Sequence, residues 1–201
     1  ATRGLELSAV PLVSPPYTSD RAKLKVIELA HILTDYCGRI RLHVVNLTRI
    51  QETIKERCPE DLFTVVMRRF MMKIAERIAQ QENCQALVTG ESLAQVASQT
   101  VQAIACTDAA TVMPVLRPVI GMDKEEIIKI ARSIGTFETS IQPYEDCCTV
   151  FTPKHPKTKP TLSMLIEAEA AIQDYQQLVD TAVSTVEVIT VTHEGAKGYL
   201  E

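Results

Sequence analysis

Segments with the pattern of β-strands alternate with segments of helical periodicity along this chain, and this alternation limits its fold more than any other feature. Leu5–Val13 and Ile40–Leu47 are short, largely apolar runs typical of strands. Between them, apolar residues recur at helical spacing from Ala22 to Leu33. The alternation predicts an α/β fold, a doubly wound and mainly parallel sheet with helices on both faces, whose ligands bind beyond the carboxyl ends of the strands.

The same signals predict the other elements. Further helices are expected at about Asp61–Glu82, Leu93–Ala105, 124–134 and Leu162–Ala182, and further strands at Gln85–Thr89 and Val186–Thr192. Val112–Val119 is extended but interrupted by two prolines, so it is expected to be a strand end or an irregular crossing. Residues 137–160 break the pattern, since they form a long segment with several prolines and lysines. Loops of this length in compact domains are usually functional or mobile, so this segment is predicted to be an active-site loop.

Length and composition exclude several classes of protein. With 201 residues and 46% hydrophobic content, the chain fits one globular domain or at most two small ones. No apolar run approaches the roughly 20 residues that a membrane helix needs, which predicts a soluble protein with no membrane partner. The net charge of −4 comes from an acidic stretch after residue 160, and the body before it is only slightly basic. A dedicated nucleic-acid surface is therefore not expected from this chain alone.

The six cysteines are expected to be reduced thiols of a cytoplasmic protein, because the sequence shows no leader. Cys147 and Cys148 are adjacent in a polar segment that precedes several lysines, whose charge favours thiolate. Two interpretations stay open for this pair: a nucleophilic or sulfur-carrying cysteine, or a merely structural pair. The other four are expected to pack as small hydrophobic residues. Without C-x-x-C spacing or a Cys/His cluster, no metal site is expected.

Two further features could bind an anion or a nucleotide. The turn Gly90-Glu91-Ser92 between a predicted strand and helix would offer backbone N–H groups, although such a turn also needs these residues for structural reasons. Gln95 and Gln99 would lie one turn apart on that helix. On the helix before it, Arg68 borders the apolar face and could extend its guanidinium over the edge of the core.

Three other basic residues of that helix are predicted to be exposed to solvent. Arg69, Lys73 and Arg77 lie on another face, which is interpreted as a solvated stripe.

Four groups of residues together resemble one family, in order and with matching spacing over nearly the whole chain. They are Ser14–Ser19; Thr89–Leu93 with Gln95–Gln99; Arg117-Pro118 with Ile120–Lys124; and Pro143–Cys148. The sequence is similar to the tRNA 4-thiouridine synthetases, also called tRNA sulfurtransferases. The resemblance covers their C-terminal ATP-pyrophosphatase domain, so residues 1–201 are expected to form that sulfurtransferase catalytic domain, an adenine nucleotide alpha hydrolase-like fold.

The resemblance implies an enzyme and its chemistry. ATP, with Mg²⁺, adenylates the oxygen at C4 of uridine 8 in tRNA, and pyrophosphate is released. A cysteine persulfide then delivers sulfur as AMP leaves, which makes 4-thiouridine, and a cysteine desulfurase supplies the persulfide. Members of the family are also linked to sulfur supply for the thiazole of thiamine, and a homodimer is left open.

The resemblance also implies roles for particular residues. ATP is expected to contact Pro11, Leu12, Arg68, Gly90 and Gln99. Of the two adjacent thiols, Cys147 matches the sulfur-transferring cysteine better, and Cys148 is a candidate partner for it, although a vicinal disulfide is strained.

The sequence departs from the family pattern at three places. The pyrophosphate-binding loop Ser-Gly-Gly-x-Asp-Ser and the tRNA-binding modules are expected upstream of Ala1, so the chain is interpreted as N-terminally truncated and incomplete for ATP hydrolysis by itself. Pro11-Leu12 replaces a His-Phe pair, which leaves a backbone contact to adenine. The C-terminal rhodanese domain that some members carry is not expected within residues 1–201. Two alternatives stay open: a non-catalytic fragment or interaction module, and another ATP-dependent adenylating enzyme on the same fold.

Overall fold

A computed structural model of the chain describes residues 4–144 and 147–198. The strands are β1 (Leu7–Ala9), β2 (Leu12–Val13), β3 (Arg39–Asn46), β4 (Leu87–Val88), β5 (Val115–Leu116), β6 (Glu187–Thr192) and β7 (Gly195–Lys197). The helices are α1 (Asp20–Cys37), α2 (Thr48–Arg57), α3 (Phe63–Gln81), α4 (Val101–Asp108), α5 (Lys124–Ser133), α6 (Phe137–Ser140), α7 (Leu162–Ala170) and α8 (Tyr175–Ser184). Single 3₁₀ turns form at Glu60–Leu62, Ala97–Gln99 and Cys147–Thr149.

The chain divides into two compact units. The first contains the described residues of 1–47, 125–150 and 185–201, and the second contains residues 48–124 and 151–184. Among the helices of the described residues, none combines the length and the apolar character that crossing a membrane requires. The assignment of residues 1–201 to one catalytic domain stays a prediction.

The first unit is built around β3. β1 and β2 pair with it in parallel, with Leu7 opposite Ile40 and Leu12 opposite Val45. β6 pairs with the other edge of β3 in antiparallel direction, and β7, which was not predicted, continues the sheet beyond β6. The parallel ladders here and between β4 and β5 of the second unit confirm the α/β class, and β6 and β7 add an antiparallel side to it.

Alternation along β3 explains the core of the first unit. Successive side chains of a strand point to opposite faces, and Ile40, Leu42 and Val44 share a buried face with residues of β6. Helix α1 packs against this sheet. It ends where predicted, at Gly38, whose φ of 70° lies in the left-handed region and whose N–H donates to the carbonyl of Thr34 at 2.7 Å.

Helix α3 is the centre of the second unit. Its predicted apolar face is buried, including Met67, Phe70, Ile74 and Ile78. It packs against α2, α4, α7, α8 and β4. Helix α2 was not predicted because most of its residues are polar, although Ile50 and Ile54 are buried at i, i+4 spacing, a signal that the sequence does contain.

Three predictions about the second unit are wrong. The helix expected at Leu93–Ala105 begins only at Val101, where Thr100 caps it by accepting a hydrogen bond from the N–H of Ala103. The helix expected at Leu162–Ala182 is two helices, because a tight turn at residues 171–174 directs Ile172 into the core.

The third error concerns Arg69, which was assigned to a solvated stripe. Its side chain is buried, its guanidinium donates to the carboxylate of Glu169, with Nη2 to Oε2 at 3.0 Å, and Nη1 donates to the carbonyl of Cys106. Burial disfavours the charged form, but the pairing with Glu169 outweighs it and raises the pKa of Arg69 above its ordinary value.

Glu76 on α3 holds the segment that leads into β5. Its Oε1 accepts hydrogen bonds from the hydroxyl of Thr111 at 2.9 Å and from the N–H of Val112 at 2.8 Å. Burial opposes ionisation, but the bonds to Val112, Thr111 and Lys73 outweigh it and hold the pKa of Glu76 below its ordinary 4.5. The carboxylate of Glu76 therefore stabilises the fold at every pH at which it is ionised.

We expect Glu76→Gln to destabilise the protein by about 1–2 kcal/mol at pH 7. Because the folded-state pKa is lowered, this difference should be complete above about pH 4.5 and should shrink as the pH falls through the folded-state pKa. Urea unfolding of the variant and the wild type between pH 7 and pH 3 measures it. Glu167→Gln, at an exposed position of α7, is the control and should have no effect. A difference that stays constant down to pH 3 would contradict the assignment.

Candidate active site

The carboxyl ends of β4 and β5 bring two segments of the second unit side by side. The strands pair in parallel, and the N–H of Thr89 continues the ladder by donating to the carbonyl of Leu116 at 3.0 Å. Gly90-Glu91-Ser92 therefore lies beside Arg117, the residue that follows β5. This edge of a parallel pair is where α/β folds bind their ligands.

Glu91 is the centre of a buried charge cluster at this edge. Its side chain is only 5% exposed. Oε2 accepts hydrogen bonds from Nε of Arg117 at 2.7 Å and from the hydroxyl of Thr89 at 2.8 Å, and Oε1 accepts from Nη2 of Arg68 on α3. Arg68 also donates through Nη1 to the hydroxyl oxygen of Ser98 at 3.3 Å. Arg68 thus reaches over the edge of the core, as its position on the helix predicted.

The cluster continues outward through Arg117. Its Nη2 pairs with Asp108, whose side chain is 44% exposed. Burial alone would lower the pKa of Arg117, but the hydrogen bonds to Asp108 and Glu91 raise it above its ordinary value. Charges of alternating sign therefore run from Arg68 to the surface. The side chains of Glu91 and Arg117 were not selected from the sequence as site residues, although charged residues within three positions of the ends of two apolar strands were a usable signal.

Gln99 organises the loop between β4 and α4. Its side-chain Oε1 accepts a hydrogen bond from the N–H of Ser92 at 3.2 Å, and its carbonyl accepts from the N–H of Ala94, a residue with a φ of 62°. The hydroxyl of Ser92 donates to the carbonyl of Met122 at 2.8 Å. Because this folded loop replaces the first turns of the predicted helix, Gln95 and Gln99 do not lie one turn apart on a helix, and Ser92 is not directly followed by a helix N-terminus.

Gly90 lies at an open part of this loop. A Cβ atom placed there would meet none of the described atoms within 4 Å. Arg68, Gly90 and Gln99, three of the residues expected to contact ATP, are therefore gathered around one segment of the second unit. Among the residues that the structure describes, no group of three or more His, Cys, Asp or Glu side chains could hold a metal ion, so no ligand is assigned to Mg²⁺.

Pro11 and Leu12 lie in the first unit, at the carboxyl end of the β1–β2 segment. The carbonyl oxygens of Pro11 and Val13 accept hydrogen bonds from the N–H groups of Val45 and Leu47 at 2.9 and 2.8 Å. Backbone groups of a strand alternate between its two edges. The N–H and carbonyl of Leu12 are therefore directed away from β3, the arrangement needed for a backbone contact to a ligand.

Cys147 and Cys148 also belong to the first unit. They begin a 3₁₀ turn in which Cys147 is buried, Cys148 is exposed and the two sulfur atoms are 4.0 Å apart. Glu145 and Asp146, which complete the sequence motif, lie outside the described residues. The preceding residues are held to α1, since Nζ of Lys25 donates to the carbonyl of Tyr144 at 3.1 Å. The segment 137–160, predicted as a loop, thus contains α6 and this turn.

The remaining cysteines occupy packing positions. Cys106 is buried, and Cys37, Cys58 and Cys84 are half-buried. Burial, followed by the nearby charge of Glu169, raises the pKa of Cys58 to about 11. Burial likewise raises the pKa of Cys106. These two thiols stay protonated near neutral pH, which agrees with a structural role.

Comparison with known proteins identifies an α/β domain of the ATP-pyrophosphatase type. The chain aligns with a solved chain described as a 4-thiouridine synthetase–RNA complex with bound ATP, with 40% sequence identity, a TM-score of 0.90, and coverage of 94% of this chain and 50% of the other. A sequence model of the family "Thiamine biosynthesis protein (ThiI)" matches residues 1–173. The chain belongs to the ThiI family.

The curated relatives of this chain are described as probable tRNA sulfurtransferases. A probable tRNA sulfurtransferase of Lachnoclostridium phytofermentans is 55% identical over 190 residues, which cover 94% of this chain and 49% of the relative. One from Caldanaerobacter subterraneus subsp. tengcongensis is 58% identical over 178 residues, with coverage of 89% and 47%. The chain therefore spans about half the length of the curated relatives it matches.

Proposed function

We propose that this chain supplies the ATP-binding and sulfur-transferring part of a tRNA sulfurtransferase that makes 4-thiouridine. The observation that carries the proposal is the position of Arg68 beside the open backbone at Gly90, at the carboxyl ends of β4 and β5. A guanidinium held there suits a phosphate group, because its planar donors match phosphate oxygens. The ATP and RNA of the solved relative support the proposal, as do the descriptions of the curated relatives.

The proposed nucleotide contacts are those that the family resemblance implies. Arg68 would bind phosphate, the open backbone at Gly90 would allow close approach, and Gln99 would act by holding the N–H of Ser92 in place. The backbone N–H and carbonyl of Leu12 would form hydrogen bonds with the edge of the adenine ring. Pro11 would hold this strand in place through the hydrogen bond between its carbonyl and the N–H of Val45. A backbone donor beside an acceptor needs no particular side chain, which is why Leu12 can stand where the family commonly has an aromatic residue.

The first chemical step is adenylation of the RNA. The oxygen at C4 of uridine 8 attacks the α-phosphorus of ATP, and pyrophosphate leaves with the electron pair of the bond that breaks. The carbon at C4 then carries a good leaving group. The terminal sulfur of a persulfide on Cys147 loses its proton and attacks this carbon, the C4–O bond breaks, and AMP leaves.

Cys148 would complete the turnover as the resolving thiol. Its thiolate attacks Sγ of Cys147, the bond from that atom to the transferred sulfur breaks, and 4-thiouridine is released. The product on the protein is a disulfide between Cys147 and Cys148, which an external dithiol reduces. The sulfur atoms are 4.0 Å apart and must approach to about 2 Å.

The resemblance to the family implies the other partners in the proposal. A cysteine desulfurase would supply the persulfide, Mg²⁺ would accompany ATP, and parts of the protein outside these residues would bind most of the tRNA. Sulfur supply for the thiazole of thiamine, a homodimer and a cytoplasmic location belong to the same proposal.

The test compares Arg68 with a second arginine of α3. In the intact protein, we expect Arg68→Gln to raise the Kd for ATP about 10- to 100-fold, the range for loss of one charge-assisted bond. Arg77→Gln is the matched control, since Arg77 is 47% exposed and pairs only loosely with Asp180 at 3.7 Å. Calorimetric titration with ATP measures binding, and mass spectrometry of tRNA nucleosides measures 4-thiouridine.

The outcomes separate the alternatives. A wild-type protein that does not bind ATP would favour a non-catalytic module. One that binds ATP and adenylates without thiolating tRNA would favour another adenylating enzyme on this fold, which would have no use for Cys147.

A further inference from the structure

We propose that Glu91 and Arg117 are positioning residues that hold the guanidinium of Arg68 in the orientation in which it meets ATP. This inference rests on the proposed function, because it assigns Arg68 to the nucleotide. Neither residue needs to touch the substrate. Their effect would pass through the chain of contacts Arg68–Glu91–Arg117 at the ends of α3, β4 and β5.

The contacts of Arg68 order its side chain before ATP binds. An arginine side chain has many rotamers, and this freedom is lost when the side chain becomes fixed. Arg68 is already fixed at both ends of its guanidinium, by Glu91 at Nη2 and by Ser98 at Nη1. A group that is ordered before the ligand arrives binds it more tightly, because binding then loses less conformational entropy.

The role of Arg117 is electrostatic. A buried carboxylate paired with Arg68 alone would neutralise it and compete with phosphate. Oε2 of Glu91 is instead occupied by Nε of Arg117 and by the hydroxyl of Thr89. The single charge of Glu91 is thus shared between two guanidinium groups. Arg68 keeps part of its positive charge for an anion, while Glu91 still fixes its direction.

The proposal predicts a graded set of effects on ATP binding by the intact protein. Glu91→Gln keeps the size of the side chain and removes its charge, and it should raise the Kd for ATP about 10-fold. Arg117→Lys keeps the charge but loses the Nε donor, and it should raise the Kd several-fold. Asp180→Asn is the matched control: it removes the charge of an exposed carboxylate that lies outside this cluster, so the Kd should change less than about 2-fold.

A double-mutant cycle distinguishes positioning from a structural role. If Glu91 acts through Arg68, Glu91→Gln should raise the Kd in the wild-type background and have no further effect in Arg68→Gln. Equal effects in both backgrounds would overturn the proposal, because a structural role acts whichever residue is at position 68. Melting temperatures of all variants are measured alongside. If Glu91→Gln does not fold, the cycle is made with Arg117→Lys instead.

The failure of this inference differs from the failure of the proposed function. If Arg68→Gln lowers affinity for ATP while Glu91→Gln and Arg117→Lys do not, positioning is overturned and the nucleotide site stands. If Arg68→Gln binds ATP as the wild type does, the assignment of Arg68 is overturned, and the positioning role with it.

Discussion

Replacing Cys147 with serine should abolish 4-thiouridine formation by the intact protein, with a loss of roughly 10³-fold or more, the scale expected when a nucleophile is removed. A serine hydroxyl cannot carry a persulfide, so sulfur has no route to the adenylated uridine. The proposed nucleotide contacts lie at other positions of the sequence, and tRNA-dependent release of pyrophosphate from ATP should therefore persist. Nucleoside mass spectrometry and a pyrophosphate assay measure the two steps separately.

Two other cysteine variants make this result specific. Cys148→Ser should complete a first turnover only when an added thiol resolves the intermediate, so its multiple-turnover rate should depend strongly on that thiol. Cys84→Ala should thiolate tRNA as the wild type does, because Cys84 packs against a core cluster of the second unit. If Cys147→Ser still thiolates tRNA, the persulfide does not form on Cys147. If the variant loses adenylation together with thiolation, the substitution has a structural effect.

The second large effect concerns stability. We expect Arg69→Ala to destabilise the protein by about 3–5 kcal/mol, because it leaves the carboxylate of Glu169 buried without its partner. Glu169 is 14% exposed and Arg69 is 7% exposed, so water cannot replace the lost bonds easily. The carbonyl of Cys106 also loses a donor. Thermal and urea unfolding of the intact protein measure the loss.

Two comparisons show whether the loss comes from an unpaired charge. Arg77→Ala breaks an exposed pair on the same helix and should cost less than about 1 kcal/mol. The double variant Arg69→Met with Glu169→Leu removes both charges and should recover most of the stability, since apolar replacements of a buried pair are often neutral. If the double variant is no more stable than Arg69→Ala, lost packing rather than the unpaired carboxylate explains the effect.

The sequence predicted those parts of the fold that depend on local patterns. The periodicity of α1 and α3 and the stop at Gly38 were confirmed because apolar spacing and a left-handed glycine act within a few residues. Helix α2 was missed because only two of its buried residues, Ile50 and Ile54, are apolar, and the rest of the segment is polar. The antiparallel direction of β6 depends on its pairing with β3, far away in sequence, which no local pattern specifies.

The candidate site shows the same limit. Arg68 was selected correctly as a residue at the edge of the core, but its neighbour Arg69 was placed in solvent because its partner Glu169 is a hundred residues away. The prediction of a helix directly after Ser92 was wrong because the N–H of Ser92 donates a hydrogen bond to the side chain of Gln99, which closes a folded loop. Tertiary hydrogen bonds decided each of these positions, and helical propensity could not reveal them.

The empty space beside Gly90 has a consequence for how variation at this position should be understood. Its backbone does not lie in the left-handed region, and an alanine methyl group would meet none of the described atoms within 4 Å. Folding therefore places no demand on glycine at position 90. Gly90→Ala should therefore fold normally, and any loss of function that it shows would come from the close approach of another molecule to the loop.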